Sequence, residues 1–292
     1  MGHVRREIKH RDLGDIIPET FSIYGRNFLT LIAITAIVVV PLTLLYIAVL
    51  NVVDVAERYD VLIAIVIPEA VIIGLIIAGH SLMTGALIHA ICEQHLRNPV
   101  SIEQAYRFAW RRIDKLIGAN ILIGLAVGLI ASVCMLISLG VRDAFGWPGS
   151  LIAIVPLAVL GIAVGIFLIV RWLLALQSVV IEDHSATRAL SRSSDLVSGS
   201  WWWVFSTILL FGVLVMMVSV AIYFPFWIAA DRDVDIRAIG STLITVLATP
   251  LLITIATLIY YNLRIEEKEF DADIMARELG IATGDPSQTP DE

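Results

Sequence analysis

Two short runs, Glu93-Gln94-His95 and Glu182-Asp183-His184, each end a long apolar stretch and place a carboxylate and an imidazole two residues apart. His89 lies one helical turn before Glu93, and side chains of these types could ligate a divalent metal. Polar helix ends that recur with an internal repeat account for the runs more simply, because the third equivalent position carries Arg264. His89, Glu93, His95, Glu182 and His184 are therefore candidate ligands with no metal assigned to them, and no cofactor is expected. A second pair, Glu69 and His80, is 11 residues apart, three helical turns, so both share one helix face. Ionisable groups inside a membrane-length apolar segment mark a proton or substrate path. The alternative is that Glu69, next to Pro68, is solvated at a membrane boundary while His80 hydrogen-bonds within a helical core. Asp231, Asp233 and Asp235 alternate like the opening of a calcium loop, but the glycine and distal glutamate are missing, which leaves a solvated acidic loop. There is no Gly-x-Ser-x-Gly, Walker loop, dinucleotide fingerprint or zinc-protease helix.

These residues must be positioned by helices. The 292-residue chain is 58% hydrophobic and only 16% charged, too apolar for a soluble domain. Apolar runs cover 28–50, 61–92, 116–139, 150–181, 203–230 and 238–263. Each exceeds the roughly 20 residues needed to cross a bilayer core. The expected fold is all-α: a polytopic membrane helical bundle of six spans. No segment alternates polar and apolar residues, which excludes a β-barrel. The first apolar run begins at Phe28 and is long enough to span, so it is expected to be retained rather than removed as a signal peptide. Cys92 and Cys134 fall inside or near the end of different spans and are expected to be reduced.

Orientation follows from Lys and Arg. Of the 20 in the chain, four (Arg58, Arg142, Arg232, Arg237) fall on one side of the six spans and the rest on the other. Both termini are thus expected in the cytoplasm, with the protein in the cytoplasmic membrane.

A short amphipathic helix is predicted before the first, third and fifth spans, and prolines Pro68, Pro156 and Pro250 occupy the outer halves of the second, fourth and sixth. The runs Leu62-Ile-Ala-Ile-Val and Leu151-Ile-Ala-Ile-Val add a local identity. Three parallel units result, each an interfacial helix plus two spans, at about 12–95, 96–184 and 185–264 of a membrane domain covering 1–264. In the first short helix Ile16, Ile17, Phe21, Tyr24 and Phe28 align on one face. In the second, Ser101 is a good N-cap with Gln104 three residues on, and Glu103, Arg107 and Arg111 stack opposite an apolar face. In the third, capped by Ser185, Ala189, Leu190, Ser193, Leu196 and Val197 share a face, with Arg188 and Arg192 outward. Such helices lie in the membrane plane with basic residues toward phosphates. Arg107, Arg111, Arg112, Lys115, Arg188 and Arg192 are the candidate headgroup-binding residues. The second and fourth spans run 32 residues, about 48 Å, so their inner ends are expected to project beyond the bilayer and pack on the short helices, with Arg171 at the interface. Residues 265–280 are expected to form a cytoplasmic amphipathic helix, and 281–292 a disordered acidic tail.

Two stretches carry a resemblance. Glu182, then Ala189-Leu190-Ser191-Arg192-Ser193, Leu196, Gly199 and Trp202, with the closing Tyr260-Tyr261-Asn262-Leu263-Arg264, Glu267, Phe270 and Asp271, resembles multi-pass proteins related to the glycerophosphoryl diester phosphodiesterase membrane-domain family. Asn262 stands where that family has Asp, and Glu267-Lys268-Glu269 where it has Arg-Glu-Gly. The catalytic barrel that gives the family its name has no room here. The resemblance implies a membrane bundle and no phosphodiesterase activity.

The chain is accordingly expected to be a non-enzymatic membrane scaffold or lipid-interacting module. Its expected partners are anionic membrane lipids, with a membrane-protein partner or second copy possible and nucleic acid excluded. The alternatives are a transporter for a small or lipidic solute, with Glu69 and His80 on its path, and a membrane-embedded lipid-modifying enzyme.

Overall fold

The computed structural model describes residues 13–56, 61–96, 98–146, 151–229 and 234–278, which are helical except at short connections. In chain order they form α1 (Leu13–Arg26), α2 (Phe28–Ala56), α3 (Val61–His95), α4 (Ile102–Trp110), α5 (Ile113–Phe145), α6 (Leu151–Trp172), α7 (Ala175–Glu182), α8 (Ala186–Ser198), α9 (Trp201–Ala229) and α10 (Val234–Glu278). Six segments are long and apolar enough to cross a membrane: Phe28–Val49, Ala70–His95, Ile113–Ala144, Ile152–Glu182, Trp201–Ala229 and Asp235–Glu267. Helices satisfy their own backbone groups, the condition for crossing hydrocarbon. The chain is a multi-span helical membrane protein.

α10 lies at the centre, packed against α1, α2, α3 and α9. Half of its most apolar window is buried, against none of the corresponding windows of α5 and α6. Those two helices form a hairpin at the side of the bundle, held to it through Leu116, Ala119 and Val170 near the end where the short helices lie. Close helix approach depends on small residues, as membrane packing requires. A Cβ on Gly85 would sit 2.6 Å from Leu116 Cδ1 and 3.1 Å from Ala109 Cβ, so α3 meets α4 and α5 through a hydrogen atom. A Cβ on Gly161 of α6 would sit 2.7 Å from Cys134 Sγ of α5. Both cysteines are free.

The three short helices each bury one face at the same end of the bundle. α4 begins with the expected capping box: Gln104 N–H donates to Ser101 Oγ at 3.2 Å, and Ser101 N–H donates to Gln104 Oε1 at 3.1 Å. Ala105 and Ala109 are buried, while Glu103, Arg107 and Arg111 are exposed. Tyrosines tie two short helices to the spans. Tyr24 Oη donates to the Leu247 carbonyl at 3.0 Å, and Tyr106 Oη donates to the Ile34 carbonyl.

Several local expectations are corrected. α1 buries Ile16, Thr20 and Ile23 but leaves Phe21 exposed, and Phe28, which opens α2, is exposed as well. In a bilayer an outward aromatic costs little, so the 16-20-23 stripe faces α10. Ser185 occupies the N-cap position of α8 in extended conformation, but its side chain makes no cap hydrogen bond. The fourth span is broken, since α6 ends at Trp172 and α7 starts at Ala175. Ser193 of α8 bridges the break: its Oγ accepts from Leu174 N–H at 3.2 Å and donates to the Arg171 carbonyl at 2.8 Å. The helix expected over 265–280 is present as far as Glu278 as the continuation of α10, which runs through Tyr260–Arg264 without a Gly or Pro to stop it, and 279–280 lie outside the described residues. The tail 281–292 lies outside the described residues.

Candidate functional site

The short-helix end holds a connected set of charges drawn from α7, α8 and α10. The Glu182 carboxylate, 11% exposed, closes α7. It receives Arg192 Nε at 3.1 Å and Arg264 Nε at 3.2 Å, and His184 Nδ1 lies 3.4 Å away. Arg192 also reaches α10, where its two terminal nitrogens donate to the two Glu267 oxygens at 2.7 Å each. This planar fork-to-carboxylate geometry is available to Arg and not to Lys. The hydrogen bonds to Glu267 and Glu182 raise the Arg192 pKa, so its charge is fixed. The buried Tyr260 hydroxyl completes no hydrogen bond of good geometry and lies beside Glu182. Ser178 Oγ and His184 Nδ1 are 2.9 Å apart, which orients the imidazole.

A second clamp adjoins it. Asp183 ends α7 in the left-handed region (φ 57°), which Asp tolerates better than most residues. Its carboxylate receives Arg112 Nε at 2.8 Å and Lys115 Nζ at 3.0 Å, and Lys115 also donates to the Asp183 carbonyl. The hydrogen bond from Lys115, supported by Arg112, holds the Asp183 carboxyl below its ordinary range. The start of α5 is thereby tied to the α7–α8 turn.

Of the six basic residues singled out from the sequence, four are engaged within the protein. Arg192 points into the ion-paired cluster rather than outward, because two carboxylates on facing helices outcompete solvent for its guanidinium. Arg112 and Lys115 hold Asp183, and Arg107 pairs with Glu103 one turn earlier. Arg111 and Arg188 are exposed and have no partner among the described residues. Beside Arg111, Trp110 is 65% exposed.

The candidate metal ligands do not converge. Among the described residues no group of three or more His, Cys, Asp or Glu side chains could hold a metal. His89 stacks on Phe108 with ring centroids 3.8 Å apart, and the Arg112 guanidinium lies 4.0 Å from that ring's centroid. Glu93 accepts from Asn98 Nδ2 at 2.9 Å, and His95 faces Glu19 at 3.5 Å and stacks on Tyr261. Glu182 and His184 adjoin each other in the ion-paired cluster, whereas His89, Glu93 and His95 each have a different neighbour.

The intramembrane pair is only half described. The Glu69 side chain, like Asp231 and Asp233, lies outside the described residues. His80 lines a cavity of about 510 Å³ between α2, α3, α9 and α10, together with Tyr46, Tyr223 and Arg237. Arg237 joins this site from the start of α10, 157 residues from His80 in sequence, and no periodicity could have paired them.

The fold and these charges define a six-span helical membrane protein with an ion-paired platform of short helices at one end. The chain matches no family model, no curated protein and no solved structure.

Proposed function

We propose that this protein is a non-enzymatic, lipid-interacting module of the cytoplasmic membrane, built of three units of one interfacial helix and two spans, with both termini in the cytoplasm. The observation that carries the reading is the exposure of Arg111 and Arg188 on α4 and α8, each helix burying its opposite face in the bundle. The ion pairs of Arg112, Lys115 and Arg192 keep these helices in place, and the two remaining cations meet anionic headgroups. Trp110 at the end of α4 suits the same boundary, where aromatic rings sit at headgroup level. Relationship to the glycerophosphoryl diester phosphodiesterase membrane-domain family is part of the proposal. Its support is that Arg192 and Arg264, one from each resembling stretch, both contact Glu182.

Each cation near an anionic surface contributes about 1 kcal/mol, so two give roughly 2 kcal/mol of selectivity, about thirtyfold. The test is spin-label lipid selectivity in phosphatidylcholine vesicles carrying labelled phosphatidylglycerol. Arg111→Glu with Arg188→Glu is expected to abolish the preference for the anionic lipid, whereas Arg107→Gln changes it little. Unchanged selectivity in the double variant removes the proposal. A second reading, a transporter for a small or lipidic solute, is favoured by the His80-lined cavity. It predicts a flux that filling the cavity abolishes.

A further inference from the structure

The cavity between α2, α3, α9 and α10 has a polar, charged wall and an apolar floor. Arg237 is in the first turn of α10, and Tyr46 is near the same end of α2. His80 lies 15 residues before His95, about 22 Å along α3 from the short-helix end. Arg237 therefore stands at the end of the bundle opposite the short helices, and His80 lies near the middle of α3. Inward from Arg237 the lining passes Leu42 and Ile76 and then reaches Val38, His80 and Met83, and Met83 is fully buried. The cavity thus runs from a basic mouth toward an apolar interior, and its volume falls in the range of small-molecule sites.

Among the described residues, the lining carries two basic side chains and no acidic one. Arg237 also interacts with the protein itself, and what it brings to the cavity is a fixed positive charge. Ser241 and Thr245, on the α10 wall, spend their hydroxyl protons on the carbonyls of Ala238 and Ser241, at 2.9 Å each. The groups able to donate to a ligand are then the guanidinium, the His80 imidazole and the Tyr46 and Tyr223 hydroxyls. Thr242 Oγ1 donates to the Ala238 carbonyl at 2.7 Å and lies 3.0 Å from Thr43 Oγ1, a contact that joins the α10 and α2 walls. A basic, donor-rich mouth over an apolar floor complements one class of molecule. We infer that this cavity binds an amphiphile with an anionic headgroup, a carboxylate or phosphate held at Arg237 with the Tyr46 and Tyr223 hydroxyls, and an acyl chain laid along Leu42 and Ile76 toward His80 and Met83. The inference is independent of the headgroup contacts proposed for Arg111 and Arg188, which lie at the other end of the molecule.

The test uses the full chain in nanodiscs of phosphatidylcholine and a dansyl-labelled long-chain fatty acid as probe, with its uncharged amide and inorganic phosphate as controls. Saturable binding of the acid is expected, roughly tenfold or more tighter than that of the amide, and phosphate alone is not expected to displace it. Arg237→Gln is expected to erase the difference between acid and amide. Ala238→Trp, which leaves both basic residues in place but fills the cavity, is expected to abolish binding of either. Equal affinity for acid and amide, or wild-type binding by Ala238→Trp, overturns the inference. Displacement by phosphate alone assigns the site to a free anion and overturns the amphiphile. If Arg237→Gln does not fold, Ala238→Trp and the acid-to-amide comparison on the wild type still decide.

Discussion

Replacing Arg192 by Gln tests the ion-paired platform at its hub. Removing one partner of a fully buried pair costs about 3–5 kcal/mol, and an exposed pair is worth about 0.2–1 kcal/mol. Arg192 lies between these limits, with its own side chain 22% exposed, Glu182 11% and Glu267 38%. After its removal Glu182 retains Arg264 at 3.2 Å, so that carboxylate is not orphaned, and Glu267 is exposed enough to find water. The expected loss is therefore about 2 kcal/mol, roughly thirtyfold in the unfolding equilibrium. The assay is reversible unfolding in mixed micelles, run as a double-mutant cycle with Glu267→Gln. A coupling energy of about 1 kcal/mol is expected from the bidentate contact. Arg192→Lys should recover less than half of the loss, because an ammonium lacks the planar fork that meets both Glu267 oxygens while Nε reaches Glu182. A stability for Arg192→Gln within about 0.3 kcal/mol of the wild type, or full rescue by Lys, refutes the reasoning.

Three further outcomes follow from the same geometry. Ser193→Ala strands the Leu174 N–H and the Arg171 carbonyl at the break between α6 and α7, and is expected to cost about 1–3 kcal/mol in the same unfolding assay. Gly85→Val drives a side chain into Leu116 and Ala109 and is expected to destabilise by about 1–3 kcal/mol, read as a lowered unfolding midpoint in detergent. Asp183 has a folded-state pKa below its unfolded one, so its ion pairs stabilise above the ordinary carboxylate pKa, about 3.9. That contribution is lost as pH falls through the lower, folded value. The stability difference between wild type and Asp183→Asn should therefore be constant from about pH 8 to 5 and shrink below about pH 4. It should stay under about 1 kcal/mol, because Asp183 is 55% exposed, and fall in high salt.

The spans were legible because apolar length alone decides them, and α4 because Ser101 and Gln104 carry a local hydrogen-bond code. The sequence placed Arg188 and Arg192 together as outward cations, since four residues apart on a helix they share a face. It could not show that α10 brings Glu267 to one of them and not to the other. Arg112 and Lys115 likewise read as a basic patch until the α7–α8 turn presents Asp183 to them. The break at Leu173 and Leu174 had no Gly or Pro to announce it, and Ser193, 19 residues after Leu174, takes up backbone groups that the break frees. Local spacing specified the spans and the polar faces of the short helices, while the break in the fourth span and the choice between solvent, lipid and another helix for each charge were made by tertiary contacts.

The most direct test of the central claim is native mass spectrometry of the protein released gently from its own membrane, beside the Arg111→Glu, Arg188→Glu variant. The account predicts an acidic phospholipid retained by the wild type at fixed stoichiometry and lost from the variant, with both proteins equally folded. The same lipid retained by both, or only a smear of bulk lipid on the wild type, contradicts it.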